Sequence, residues 1–318
     1  METKLKLDKF ARYAWFVLGY NVIVILWGVF LRASKSGDGC GQHWLTCHGE
    51  VIPSAPEMKT VIEFSHRLTS GLAFIAVLIL VVWAFRRFPK GSAVRKTAFV
   101  SFIFIITEAL VGAGLVLTGN TAETLTAARP FWMIGHLTNT FILLAFLTLT
   151  AWFASGGEPF SFKNNPKASF FLAIAVVGIF FVGVSGSVAA LSSMIFPSET
   201  LAEGISKDFS ETSNILLRLR ISHPIVSIMT SVFLIFLAGW LKTQAKENFR
   251  VARFSNLLTI LILIQIGFGA LTLLTLAPIL MQLGHLLLAD AIWIAFVLLA
   301  ASFLAEQNSK REISAAEF

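Results

Sequence analysis

The chain alternates between long apolar stretches and short polar connections. Eight stretches are long enough to cross a hydrocarbon core of about 30 Å, which needs roughly 20 mostly apolar residues in a helix. Their approximate bounds are 12–32, 61–85, 97–118, 131–154, 168–190, 214–241, 254–277 and 279–304. The pattern predicts an all-α integral membrane protein of eight transmembrane helices. We expect the first span to be retained, because it is longer than the apolar run of a signal peptide, about 7–15 residues.

Composition and charge agree with this prediction. Apolar residues make up 56% of the chain and charged residues 14%, against about 45–50% and about 25% in soluble domains. Of the 25 lysines and arginines, 17 fall on the side of the predicted spans that also carries both termini. The positive-inside rule then places both termini in the cytoplasm and the loops 33–60, 119–130 and 191–213 outside the cell membrane. The net charge of +7 therefore reflects topology, and we expect no nucleic-acid partner.

Four histidines lie inside the predicted spans, where ionisable residues are costly and usually functional. They are His66, His136, His223 and His285, one in each even-numbered span. Each lies within about two turns of the start of its span, and the even spans all run in the same direction. The four histidines therefore share one depth near the outer face. A single one could be a hydrogen-bonded residue at a helix start, but the matched placement favours a function.

The second half of the chain repeats the first, as internal motifs indicate. Met133-Ile-Gly-His136-Leu recurs as Gln282-Leu-Gly-His285-Leu, and Ser65-His66 recurs as Ser222-His223. A glycine-rich run in span 3, 111–115, resembles 266–270 in span 7. Four spans return the chain to its starting side, so the repeat predicts two tandem pseudo-symmetric four-helix bundles. We place them at 1–160 and 161–318.

Two histidines in each bundle suit a haem site. Imidazole nitrogen is a good ligand for iron, and bundle interiors hold such sites. We expect bis-imidazole ligation, with His66 paired with His136 and His223 paired with His285. Zinc or copper is disfavoured, because the sequence supplies no third or fourth ligand beside either pair. Four glycines would admit a flat macrocycle or simply let helices pack: Gly112, Gly114, Gly267 and Gly269.

The two repeats differ at one informative position. Glu63 precedes His66 by one turn on the same helix face, and its equivalent before His223 is Arg220. Glu63 could relay a proton at the first site, or it could be a helix-start acid or the partner of Arg67. Arg220 could bind a haem propionate or be an interfacial snorkelling residue. Since topology and loops account for most other charges, Glu63 is predicted to mark the reactive half.

The two cysteines, Cys40 and Cys47, both lie in the first predicted outer loop. The outside of a cell is oxidising, so a structural disulfide is plausible there. A redox-active pair, or a transient metal site with His43 and His48, are the alternatives. Each of the three would lie just above the first histidine pair.

These motifs together resemble the haem A synthase family. The segment from Gly28 to Gly49, with its two cysteines, is similar to that family's first outer segment, and Glu63-Phe-Ser-His66-Arg67 resembles its E-x-x-H-R signature. The likeness extends to the eight spans, the repeat and the histidine on each even span. It implies oxidation of the C8 methyl of haem O to a formyl group by successive hydroxylation. The product, haem A, serves terminal oxidases.

The resemblance also implies a role for each site residue. The implied axial ligands are His223 and His285 for a resident haem b, and His66 and His136 for the substrate haem O. Glu63 is implied as the catalytic acid, Arg67 and Arg220 become candidates for cofactor contacts, and Cys40 and Cys47 match the family's outer-loop pair. Some bacterial members carry a second cysteine pair between spans 5 and 6, and here the corresponding loop, 191–213, contains none.

Two other function classes fit parts of the sequence. A bis-His di-haem b-type cytochrome would explain the four histidines without explaining Glu63. A transporter or haem exporter built on repeats would need no redox-active haem. The partners expected from the resemblance are haem O, a haem O synthase, oxidase assembly factors and membrane lipid, and a homo-oligomer is a further option.

Overall fold

The regular structure is helical throughout the described chain. The computed structural model describes residues 7–121 and 126–316, and its α-helices have the following bounds: α1 Lys9–Ala33, α2 Met58–Arg87, α3 Ala93–Leu117, α4 Arg129–Ala154, α5 Pro166–Ile195, α6 Leu201–Phe209, α7 Ile215–Arg220, α8 Ser222–Gln244, α9 Phe249–Leu274 and α10 Ile279–Ala316. One 3-10 turn, Phe162–Asn164, precedes α5. Eight helical segments, with α7 and α8 counted as one, are long and apolar enough to cross a membrane. The predicted fold class is confirmed.

Polar caps explain where several long helices begin on the predicted cytoplasmic side. An N-cap side chain accepts a hydrogen bond from an otherwise unpaired backbone N–H of the first turn. Four side chains do so at the starts of α1, α3, α5 and α9: Asp8, Ser92, Asn165 and Asn248. Helix formation is therefore specified locally at the polar ends, while the apolar sequence between them favours burial in lipid.

The predicted sixth span is broken where it reaches its histidine. Helix α7 ends at Arg220, and α8 begins at Ser222, one residue before His223-Pro224. Proline is tolerated in the first turn of a helix, where its missing N–H would have no partner in any case. The loop predicted at 191–213 also differs from the structure, because α5 continues to Ile195 and α6 folds within the loop. Thr200, the N-cap of α6, accepts from the backbone of Glu203, which is the pattern of a capping box.

Helices α1 to α4 form a closed antiparallel bundle, in which α1 packs on α2 and α4, and α3 packs on α2 and α4. In the second half, α8 packs on α5 and α9, and α9 packs on α10. The connection between α4 and α5 contains residue 160, the predicted boundary of the two halves. That division into two domains stays a prediction.

Helix α4 serves as a wall for both halves. Besides α1 and α3, it packs against α5 and α10. The ring of Phe141 on α4 lies 5.6 Å from that of Phe180 on α5 and 5.7 Å from that of Trp293 on α10, measured between centroids. The indole of Trp293 also donates to the backbone carbonyl of Phe141 at 2.7 Å. The helix that carries His136 is thus fixed directly to the helix that carries His285.

Candidate functional site

The four histidines stand at matching heights in the structure. His66, His136 and His285 lie six to eight residues after the first residue of their helices, and His223 lies eight residues after the start of α7. All four are half-buried. The prediction of one shared depth on the even spans is therefore supported by the helix bounds.

The second pair faces across its half of the molecule. The ring centroids of His223 and His285 are 6.1 Å apart, with the ring planes at 82°. With metal–nitrogen distances of about 2 Å, two imidazoles on opposite sides of one metal ion have centroids about 6 Å apart. The spacing in this structure therefore fits one iron between the two rings.

The first pair lies in the closed bundle, on the diagonally placed helices α2 and α4. Nδ1 of His66 is buried and has no hydrogen-bond partner among the described residues. Nδ1 of His136 is 3.0 Å from a carboxylate oxygen of Glu108, on α3. Nδ1 of both rings thus lacks a hydrogen bond in the described part of the chain, and the two differ in that a carboxylate lies beside His136.

Glycines lie against three of the four rings. A Cβ added to Gly28 would come within 3.0 Å of the His66 ring, and one added to Gly186 would come equally close to that of His223. At Gly269 a Cβ would be 3.1 Å from His285. Gly28 and Gly186 occupy corresponding places, on the first helix of each repeat. A larger side chain at these positions would push against the ring, so the glycines leave each imidazole the space that it occupies beside the neighbouring helix.

These observations test whether the residues fit a haem. The second pair has the ring separation that an axially ligated iron requires. Nδ1 of His285 is buried without a hydrogen-bond partner in the described part of the chain, so a ring nitrogen remains available in each pair. The donor set is imidazole only, and the described residues contain no group of three or more His, Cys, Asp or Glu placed to hold a metal ion. The second pair therefore fits bis-imidazole ligation of a haem iron.

Glu63 is bound to the outer loop. It is 3% exposed, and one of its oxygens accepts the backbone N–H of Cys40 at 2.8 Å. Its other oxygen is paired with Arg67, as one of the sequence-based alternatives proposed. Arg67 in turn donates to the backbone carbonyls of His43 and Thr46, each at 2.7 Å. The two side chains therefore tie the cysteine loop to the start of α2.

The two cysteines form a disulfide, Cys40–Cys47, so of the three readings the metal site is the one the structure does not support. His48 instead lies 2.9 Å from the carbonyl oxygen of Gly39 through Nε2. Thr60, at the start of α2, donates to the same carbonyl at 2.5 Å. The loop is thus closed covalently and is also held onto α2. Whether the disulfide also takes part in redox chemistry stays a prediction.

Arg220 is occupied by the outer segment of the second half. Its guanidinium pairs with Asp208 at 2.7 Å and donates to the carbonyl of Gly204 at 3.0 Å, both on α6. Its predicted contact with a haem propionate is not tested by this geometry. What the structure adds is a partner on α6, a helix that the sequence analysis treated as loop. Arg67 and Arg220 thus perform the same structural task, each holding an outer segment over its own half.

Three polar residues inside spans were not singled out from the sequence. Glu108 contacts His136, and Gln265 donates to the backbone carbonyl of His285 at 3.1 Å and lies 3.3 Å from its Nε2. Asp290 is 1% exposed, and neither of its carboxylate oxygens has a hydrogen-bond partner within the described ranges. The prediction that Glu63 marks the reactive half, made because topology and loops account for most other charges, therefore overlooked two carboxylates inside spans. A search for carboxylates within apolar runs would have found Glu108 and Asp290.

Comparison with known proteins agrees with the resemblance drawn from the motifs. Residues 11–297 match the model of the COX15-CtaA family, described as cytochrome oxidase assembly protein. The chain belongs to the COX15-CtaA family. The matched range contains both histidine pairs and the disulfide loop, so the whole site described above lies within the part of the chain that matches the family.

Individual relatives match over different shares of their length. A Thermus thermophilus protein named "Protoheme IX farnesyltransferase" is 43% identical over 304 residues, which are 96% of this chain and 50% of the relative. The "Heme A synthase" of Halalkalibacterium halodurans is 43% identical over 98 residues, 31% of this chain and 33% of the relative. That of an Exiguobacterium species is 37% identical over 109 residues, 34% and 36% of the two chains. The chain thus spans about half the length of the Thermus relative.

Proposed function

We propose that this member of the COX15-CtaA family is a haem A synthase, which oxidises the C8 methyl of haem O to a formyl group. The observation that carries the proposal is the contrast between two histidine pairs built on one repeat. Carboxylates flank the first pair, with Glu63 one turn before His66 and Glu108 on His136. The second pair has an arginine at the position of Glu63 and an amide, Gln265, beside His285. Such a contrast suits one reactive and one static site.

In this proposal the second half holds a resident haem b. His223 and His285 would be its axial ligands, since their rings have the required separation. Haem b held in this way supplies one-electron transfer. Gly186 and Gly269 leave room for the two rings, and Ser185 lies 3.3 Å from Nδ1 of His223. The surroundings of this pair carry no carboxylate in ring contact among the described residues, which suits a site that only exchanges electrons.

The first half would receive haem O between His66 and His136, entering sideways from the lipid because its farnesyl tail is lipophilic. Two successive hydroxylations of the methyl group, each a two-electron oxidation by an external oxidant that also supplies the oxygen atom, such as dioxygen, would give a geminal diol, which loses water to leave the aldehyde. Glu63 is the proposed acid–base residue, placed one turn from His66. Its contacts with Arg67 and Cys40 keep that carboxylate and the disulfide loop together. The loop would then exclude water from the outer edge of the pocket.

The remaining assignments follow from the same proposal. The protein would lie in the cell membrane with both termini in the cytoplasm and the disulfide loop outside. A haem O synthase would supply the substrate, and oxidase assembly factors would accept the product. The Thermus relative is named for farnesyl transfer to protohaem IX, the class of reaction that makes a farnesylated haem. The half of that relative matched here would then act on the product of such a transfer.

The deciding experiment is pigment analysis. The chain is expressed in a host that supplies haem O, and extracted haems are identified by mass spectrometry, with a His66→Ala, His136→Ala double variant as the matched control. We expect haem A or a hydroxylated intermediate with the unmodified chain and haem O alone with the control. A stable b-type spectrum without any oxidised haem would instead favour an electron-transfer cytochrome and reject the synthase.

A further inference from the structure

Glu108 is a carboxylate in the middle of the membrane-spanning helix α3, with three partners on α4. It lies 3.0 Å from Nδ1 of His136, and it also accepts from the side chains of Asn139 and Thr140. Asn139 is held in turn by the hydroxyl of Thr107 at 2.5 Å. A carboxylate within a bilayer is costly unless it is paired. These partners fix the position of the Glu108 carboxylate against the imidazole.

The contact determines which nitrogen of His136 remains available. The Glu108 carboxylate lies 3.0 Å from Nδ1 of His136 without hydrogen-bond geometry, and its negative charge favours an N–H over a lone pair at that nitrogen of the neutral ring. Nε2 then keeps its lone pair for a metal. This is the arrangement in which an outer carboxylate orients a histidine ligand and increases its basicity. Nδ1 of His66 is also buried without a hydrogen-bond partner within the described chain, but no ion pair there joins it to a carboxylate.

The second repeat has a neutral residue in the corresponding place. Gln265 on α9 approaches Nε2 of His285, and Glu108 on α3 approaches Nδ1 of His136. The two residues are 157 positions apart, the same offset that relates His66 to His223. The groups near Nδ1 of His223 are the hydroxyls of Ser185 and Ser227, at 3.3 and 3.4 Å. The second pair therefore has only neutral hydrogen-bonding neighbours where the first has a carboxylate.

We propose that Glu108 is a positioning residue that makes the first histidine pair a stronger electron donor to a bound haem iron than the second pair. This inference rests on the proposed function, in that the first pair takes a haem. A more electron-rich axial ligand stabilises the oxidised iron and lowers its reduction potential, and it is the feature that favours oxidative chemistry over simple electron transfer. The two repeats thus give their haem irons different reduction potentials, because Glu108 in the first repeat corresponds to Gln265 in the second.

The test measures reduction potentials of the purified full-length protein. Haem b serves as the probe and is added without oxygen, so that the first pair is loaded without turnover. A spectroelectrochemical titration should resolve two components, of which His66→Ala removes the first and His223→Ala the second. We expect Glu108→Gln to shift the first component to a more positive potential and to leave the second unchanged. Glu108→Asp, which retains the charge, should restore much of the difference.

A reciprocal variant covers the case in which Glu108→Gln fails to bind haem in the first site. Gln265→Glu puts a carboxylate beside His285 and should shift the second component to a more negative potential. An unchanged first component in haem-loaded Glu108→Gln would overturn the inference, and so would an unchanged second component in Gln265→Glu. A wild-type protein that shows no component removable by His66→Ala would reject the haem assignment of the first pair, and with it the proposed function.

Discussion

Glu63 and Arg220 occupy equivalent positions in the two repeats, and each is bound to the outer segment above its own histidine pair. Glu63 holds the disulfide loop through the N–H of Cys40 and through Arg67. Arg220 holds α6 through Asp208 and the carbonyl of Gly204. The charge is reversed between the repeats while the anchoring role is kept. A variant at either position can therefore lose activity in two ways, through the missing side chain itself or through detachment of the outer segment.

Replacing Glu63 with glutamine separates these two effects. The amide oxygen can still accept from Cys40, but the amide cannot take up or release a proton at physiological pH. We expect haem A formation to fall by at least about 100-fold, the usual contribution of a general acid or base. The measurement is the ratio of haem A to haem O in extracted pigments. Arg220→Gln, at the matched position, should reduce that ratio far less, and a normal ratio in Glu63→Gln would remove the proposed role.

The two histidine pairs should respond differently to alanine. His223→Ala removes one ligand of the proposed resident haem, so the purified protein should lose its stable b-type absorption. His66→Ala should keep that absorption and lose haem A formation, because the substrate site alone is changed. Visible spectra of the two purified variants, each compared with its pigment content, provide the test. The reverse pattern would exchange the roles of the two halves.

The Asp208–Arg220 pair should contribute to stability. Both side chains are mostly buried, at 13% and 17% exposure, and removing one partner leaves the other without its charged neighbour. We expect Asp208→Asn to cost about 1–3 kcal/mol, seen as a lower thermal midpoint in detergent. The matched control is Glu203→Gln, which breaks the more exposed pair with Lys207 on the same helix. An equal loss in the two variants would contradict the importance of burial.

The disulfide should stabilise the outer loop. Closing a short loop by a disulfide contributes about 2–3 kcal/mol through the unfolded chain. The double variant Cys40→Ser, Cys47→Ser should therefore be cleaved faster by a protease that reaches the loop, while the b-type spectrum persists. If the variant keeps its loop intact but loses all haem A formation, the pair has a redox role. Wild-type protein treated with a thiol reductant is the parallel sample.

The buried carboxylate of Asp290 should lower the thermal stability of the protein. Its carboxylate is buried on α10 without a hydrogen-bond partner in the part of the chain that the structure describes. Burying a charge costs more than burying a neutral amide of the same size. Asp290→Asn is thus expected to raise the thermal midpoint. A lowered midpoint would mean that the carboxylate has a stabilising partner in the membrane-embedded protein.

The sequence sufficed for the features that depend on periodicity along the chain. The eight spans, the repeat and the common depth of the histidines follow from apolar run lengths and from the spacing of His66 and His223. The contact between Glu108 and His136 was not predicted, because it joins neighbouring helices and depends on how each is rotated about its axis. The partner of Arg220 was missed for a different reason. It lies on α6, whose start at Thr200 and Glu203 was readable but was treated as loop.

The shared position of α4 limits how freely the two repeats could be exchanged. Phe141 fits between rings of α5 and α10, and its carbonyl accepts from Trp293. A second repeat produced alone would present this aromatic surface to lipid without its counterpart, and a first repeat alone would lose one side of the helix that carries His136. The two repeats therefore depend on each other for packing and are not two independent folding units. A chimaera of two family members, joined at a loop, should fold only when α4 and α10 come from the same parent.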